Sequence, residues 1–118
     1  MPSSKFSASI FGRRLRQARQ LSGLPQDRLG VLAGLEESSS SARISRYESG
    51  IHEPTSVFAQ ALAEVLHVPA AYFYCADDDL AELILLYSGS KSVDRHELIV
   101  QARSLSDIPP RSRKTRGP

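Results

Sequence analysis

Cysteine is nearly absent: Cys75 stands alone in 118 residues, which rules out an intrachain disulfide. The histidines, His52, His67 and His96, are scattered without metal-ligand spacing, so no metal site is expected. No apolar run reaches the roughly 18 to 20 residues that span a bilayer. The opening MPSSKFSASIFGRR also lacks the positive head, hydrophobic segment and cleavage site of a secretory leader. A reduced, cytoplasmic chain with no membrane partner is expected. A phosphate-binding loop, a paired His-Cys spacing and a nucleophile elbow are all missing. Catalysis is therefore a poor reading: no catalytic residue and no cofactor is expected. Asp77, Asp78 and Asp79 read as an acidic helix start, and Cys75, inside the apolar YFYCA, as a buried structural thiol.

The chain is short for a two-domain enzyme, but its 41% hydrophobic content can supply one modest core. Positive charge is unevenly placed. Residues 51 to 90 hold no Lys or Arg against six Asp or Glu, residues 1 to 50 hold eight against four, and residues 91 to 118 hold seven against three. A basic front, an acidic middle and a basic tail suggest one region that faces a polyanion beside a surface that faces elsewhere.

Apolar spacing predicts helices throughout, and no internal repeat is apparent. IFGRRLRQARQLSG places Phe11, Leu15 and Ala18 near one face and stops near Gly23. PQDRLGVLAG gives a short second helix with Leu29, Leu32 and Ala33 on its apolar edge, stopped by Gly34. ARISRYESG gives a third, with Ile44 and Tyr47 inward and Ser40 as its cap. TSVFAQALAEVLHV, dense in apolar residues, reads as the central buried helix, started by Thr55 or Ser56. PAAYFY closes the core with Tyr72 and Phe73 as plugs. Two more helices follow, over ADDDLAELILLYSG and over VDRHELIVQARSL, the latter with Asp94 and Glu97 as a capping box. The final SDIPPRSRKTRGP, with adjacent prolines and no apolar period, reads as disordered.

Two short helices in succession, the second carrying Ser and Arg on a face its apolar residues do not need, suit major-groove recognition. Arginine can read guanine with two bonds, and serine can donate or accept. An all-helical interaction module is the competing reading.

From about Ile10 to Phe73 the chain resembles the phage-repressor-like helix-turn-helix family, the Cro/C1 or XRE type. The resemblance rests on LRQARQLSGLPQDRLGVLAG, ISRYESGIHEPT and ALAEVLHVPAAYF, in order and at nearly the right spacing. It implies an all-α fold with a five-helix domain, to which the two further helices add a C-terminal helical extension. It also implies double-stranded DNA as ligand, homodimerisation on palindromic operators and a role in transcriptional control. Ser41 and Ala42 resemble the first-turn reading positions, Arg46 a later one, and Arg43 between them is placed for a base or a phosphate. Gln26 looks like the glutamine that meets the DNA backbone. Arg14, Arg28 and Ser40 are assigned to the backbone too. Arg19 and Glu48 look like an internal ion pair that also lends Arg19 to a phosphate.

Two departures stand out. Pro25 replaces the usual Ser or Thr cap, a loss of roughly 1 kcal/mol. The turn before the third helix then carries four residues more than the family pattern, Glu36 to Ser39, close to one helical turn of about 3.6 residues. They can bulge as a loop or extend the recognition helix backward. The loop is favoured, because acids near phosphates are repelled and serine has modest helix propensity.

The expected organisation is a flexible arm over 1–9, a DNA-binding domain over 10–75, a helical extension over 76–106 for dimerisation or regulation, and a disordered basic tail over 107–118. The alternative is an antitoxin or accessory module of the same fold that chiefly binds a protein partner. Deleting residues 110–118 should lower DNA affinity and flatten its salt dependence, since four flexible cations release counterions without a fixed pose. An unchanged slope of log affinity against log salt would remove that role.

Overall fold

The structure is a computed structural model that describes residues 9–109. The described residues are all helical: α1 (Ile10–Ser22), α2 (Gln26–Leu32), α3 (Glu37–Ser49), α4 (Ser56–Leu66), a 3-10 turn over Ala70–Tyr74, α5 (Asp78–Ser88) and α6 (Ser92–Leu105). The expected N-terminal arm before Ser9 and the basic tail from 110 onward lie outside the described residues.

Local chemistry explains most of the boundaries. Ser9 caps α1 by accepting from the Gly12 amide at 2.8 Å, and Gly23, left-handed at φ 77°, returns its N–H to Arg19 and Gln20. Thr55 accepts from the Phe58 amide at 3.1 Å to open α4. His67 closes that helix with φ 57°, the one positive φ outside glycine among the described residues. Pro25 precedes α2 with no side-chain cap. Asp77 Oδ1 accepts from the Leu80 amide at 2.8 Å and starts α5.

Three expectations need correction. Residues 37 to 39 are helical and continuous with Ala42, so the loop reading of this stretch is overturned. Ser40 is not the cap of α3; Glu36 holds that position, and Ser40 is fully buried with its hydroxyl donating to the Asp27 carbonyl at 2.7 Å. The physical reason is packing. Gly30 brings α2 so near that a Cβ there would collide with Ser40 Oγ, and burying this extra turn outweighs the modest propensity of serine. Glu37 then sits in the first turn, where the helix dipole favours an acid. The third correction is α6, which begins at Ser92 after Lys91, so Asp94 lies inside its first turn and forms no capping box.

The chain divides into two compact units between Leu86 and Tyr87. In the first, Phe11, Leu15 and Ala18 of α1 meet Leu29, Ile44, Tyr47 and the α4 stripe Ala59, Leu62, Ala63 and Leu66. Tyr72 and Phe73 close that core, with the Phe73 ring 4.9 Å from Phe11. Ala81 of α5 is buried in the same cluster. In the second unit, Arg95 donates to the carbonyls of Tyr87 and Ser88 at 3.0 and 2.6 Å, and α6 buries none of its side chains.

Gly12 marks the closest approach of α1 to α3: a Cβ there would strike the Glu48 carbonyl and lie 2.7 Å from that of Tyr47. Neither backbone atom can swing aside. Gly12→Ala should therefore cost about 1–3 kcal/mol of unfolding free energy. An unshifted urea midpoint would mean that α1 and α3 are not apposed there.

Candidate nucleic-acid interface

Glu48, near the end of α3, is a carboxylate only 7% exposed. A buried charge of this kind survives only if its oxygens are satisfied. Arg19 meets it with two bonds, Nε to Oε2 at 2.5 Å and Nη2 to Oε1 at 3.1 Å. Gln26 Nε2 adds a third, to Oε1 at 3.1 Å, and Arg19 Nη1 donates to the Leu24 carbonyl at 3.0 Å. One buried carboxylate thus joins the end of α1, the start of α2 and the end of α3. The Gln26 side chain and most of the Arg19 fork serve this node.

At the other end of α3, Ser40 seats the helix on α2 through Asp27. Between these anchors the helix shows its outer face to solvent. With a step of about 100° per residue, the buried Ser40, Ile44, Tyr47 and Glu48 define one side, and Ser38, Ala42, Ser45 and Ser49 the opposite one. Ser41 and Arg46 flank that outer ridge, and both are exposed. Ser39, Ser40 and Ser49 spend their hydroxyls on backbone carbonyls. The hydroxyls of Ser38, Ser41 and Ser45 have no such bond among the described residues.

Arg43 is exposed but turned along the helix, with Nη2 donating to Tyr47 Oη at 3.0 Å. It enters a groove of about 520 Å³ between the end of α3 and the start of α4, lined also by Arg46, His52, Thr55 and Phe58. Arg28 stands exposed on α2.

Two residues assigned to the DNA backbone are placed elsewhere. Arg14 is 3% exposed, its guanidinium taken up by the carbonyls of Cys75 and Ala76 and by Asp78, so it offers nothing to a phosphate. Ser40 is buried between α3 and α2. Both follow from position: Arg14 lies three residues after Phe11 and four before Ala18, on the inward stripe of α1. The outward Ser38 and Ser45, and the groove beside His52 and Thr55, were missed. Helical spacing from Ala42 reaches Ser45 directly. Ser38 joins that face only because its segment is helical and not a loop.

No helix among the described residues is long and apolar enough to cross a membrane, and no cluster of three or more His, Cys, Asp or Glu among them could hold a metal ion. Comparison with known proteins gives a consistent result. A family model described as a helix-turn-helix domain matches residues 10–72. Among solved structures, the chain is similar to that of the transcriptional regulator BswR, with 43% sequence identity, a TM-score of 0.76, and coverage of 79% of this chain and 92% of the other. No curated protein matches. With α2 and α3 joined by a tight turn through Gly34, a single carboxylate holding them to α1, and a matching model over more than half its length, the chain belongs to the helix-turn-helix domain family.

Proposed function

We propose that this protein is a sequence-specific transcriptional regulator of the phage-repressor type, which binds double-stranded DNA by laying α3 in the major groove and acts as a dimer on a palindromic operator. The observation that carries this reading is the outer face of α3. Its ends are pinned by Glu48 and Ser40, while its exposed side chains bear hydroxyls and the Arg46 guanidinium, free for base edges. A structural helix has no need of that arrangement.

In this reading Ser38, Ser41 and Ser45 donate to or accept from base edges, Ala42 offers at most a contact to a thymine methyl, and Arg46 reads guanine. From Ser38 to Ser45 the helix rises about 10 Å, which spans roughly three base pairs. Arg43, from its groove beside Thr55, meets a base at the end of that span or the adjacent phosphate. Arg28, with what the Glu48 node leaves accessible of Gln26 and Arg19, positions the domain on the backbone.

Dimerisation is supported by the extension. Leu80 and Leu83, both half-exposed on one face of α5, present an apolar edge. The 14-residue α6 buries no side chain, and a helix of that length is marginal in water without tertiary support. A second copy of the chain would supply that support.

Selection of bound duplexes from a random library tests the function as a whole. A recovered palindrome is expected; tight binding to a protein partner with no base preference would favour the interaction module instead. Arg46→Ala should cost about 1–3 kcal/mol on the selected site and relax preference at one base position. Equal losses on selected and random duplex would assign Arg46 to phosphate. Glu48→Ala leaves the partly buried Arg19 without its partner and should weaken folding by about 3 kcal/mol, with affinity lowered for every sequence. Unchanged melting and operator affinity in that variant would sink the node's role.

A further inference from the structure

Arg14 is the most thoroughly bonded cation in the described residues, and the DNA face does not use it. Its Nε donates to the Cys75 carbonyl at 2.8 Å, Nη1 to Gln17 Oε1 at 2.9 Å, and Nη2 to both the Ala76 carbonyl at 3.1 Å and Asp78 Oδ1 at 2.9 Å. The Tyr72 ring centroid lies 5.7 Å from its Cζ, and Tyr72 Oη donates to the same Gln17 oxygen at 3.3 Å. From outside, Arg13 adds a bond to the Ala76 carbonyl at 3.4 Å and a 3.5 Å approach to Asp78.

The bonds to Cys75, Ala76 and Asp78 bracket the three residues, 75 to 77, that separate the 3-10 turn from α5. A connection this short and exposed at Ala76 and Asp77 would ordinarily be the place where an extension swivels. Here Arg14 holds two successive carbonyls and the first residue of α5 at once, while Asp77 caps that helix. Stability alone does not call for an arginine. Burying a guanidinium costs desolvation, and an apolar side chain of similar volume commonly does as well or better. What arginine adds is a rigid planar fork that fixes several acceptors in one geometry.

We infer that Arg14 is a positioning residue, which sets the direction in which α5 runs from the 3-10 turn and thereby the spacing between the two half-sites that a dimer accepts. The inference rests on the proposed pairing of two copies through the extension. Arg14 and Asp78 touch no DNA in this arrangement.

The test uses the full chain as wild type, Asp78→Ala and Arg14→Lys. Asp78 has a side chain 79% exposed, so its removal spares the core; lysine keeps the charge at position 14 and loses the fork. Each protein is titrated against the selected palindrome, the same duplex with two base pairs inserted at its centre, and a single half-site. Two base pairs turn one half-site by about 70° relative to the other. The wild type should prefer native spacing by about tenfold or more, a range typical of specific discrimination. Both variants should keep half-site affinity within about twofold and lose most of that preference.

A variant pair that retains the wild-type preference overturns the inference. So does a parallel loss of half-site affinity in both variants, which would make Arg14 a support of the domain and nothing more. A wild type indifferent to spacing overturns the dimer reading and the inference with it, and because that result is read on the wild type alone, the two failures are distinguishable.

Discussion

A carboxylate that is 7% exposed and shared by three helices fixes how α1, α2 and α3 of this molecule meet. Glu48 cannot be buried without its donors, and its donors come from α1 and α2: two bonds from Arg19 and one from Gln26. Whatever fixes α1 therefore fixes the end of α3. Gly12 allows the backbones to approach closely enough for this to happen, because a side chain there would strike the very turn that carries Glu48. The net free energy of such a pair is small or even unfavourable against an apolar replacement. Its contribution lies in direction, since only one orientation of α3 lets both carboxylate oxygens meet their partners.

The start of α3 is held by different means. Ser40 and Gly30 form a contact between small residues, and the serine hydroxyl donates to the Asp27 carbonyl. The two anchors lie eight residues apart, about 12 Å along the helix axis. Fixing both ends frees the outer ridge from any structural duty, which is why small polar residues can occupy it. A large apolar residue at Ser38 or Ser45 would gain nothing from packing and would stand in water.

Much of this was legible in the sequence. Apolar spacing in α1 and α4 located both helices, and Thr55, Gly23 and Gly50 mark their ends or that of α3 by chemistry that acts within a few residues. Ile44 and Tyr47 oriented α3 correctly because helical period alone decides which side is buried. What failed was whatever depends on distant partners. Serine at 38 to 40 has local preferences that favour a loop or a cap, and those preferences lost to contacts with α2, thirteen residues away in the case of Ser40 and Asp27. Arg14, expected on the DNA backbone, is instead placed inward by its spacing from Phe11 and Ala18; its acceptors, Cys75, Ala76 and Asp78, lie more than sixty positions along the chain.

The arginines show how a charge count can mislead about mechanism. Eight cations in the first 50 residues suggest a strongly electrostatic surface. Arg14 and Arg19 are consumed in internal bonds, and Arg13 leans on Asp78, which leaves Arg16, Arg28, Arg43 and Arg46 as the exposed cations of the helical unit before α4. A DNA-binding face with few free cations draws less affinity from counterion release, the component that every sequence shares. In the proposed mode of binding, more of the affinity then comes from bonds to base edges, which differ from site to site. The hydroxyls and the single outward guanidinium at Arg46 fit that balance. In the proposed function, burying charge to position α3 instead of displaying it favours discrimination over general attraction.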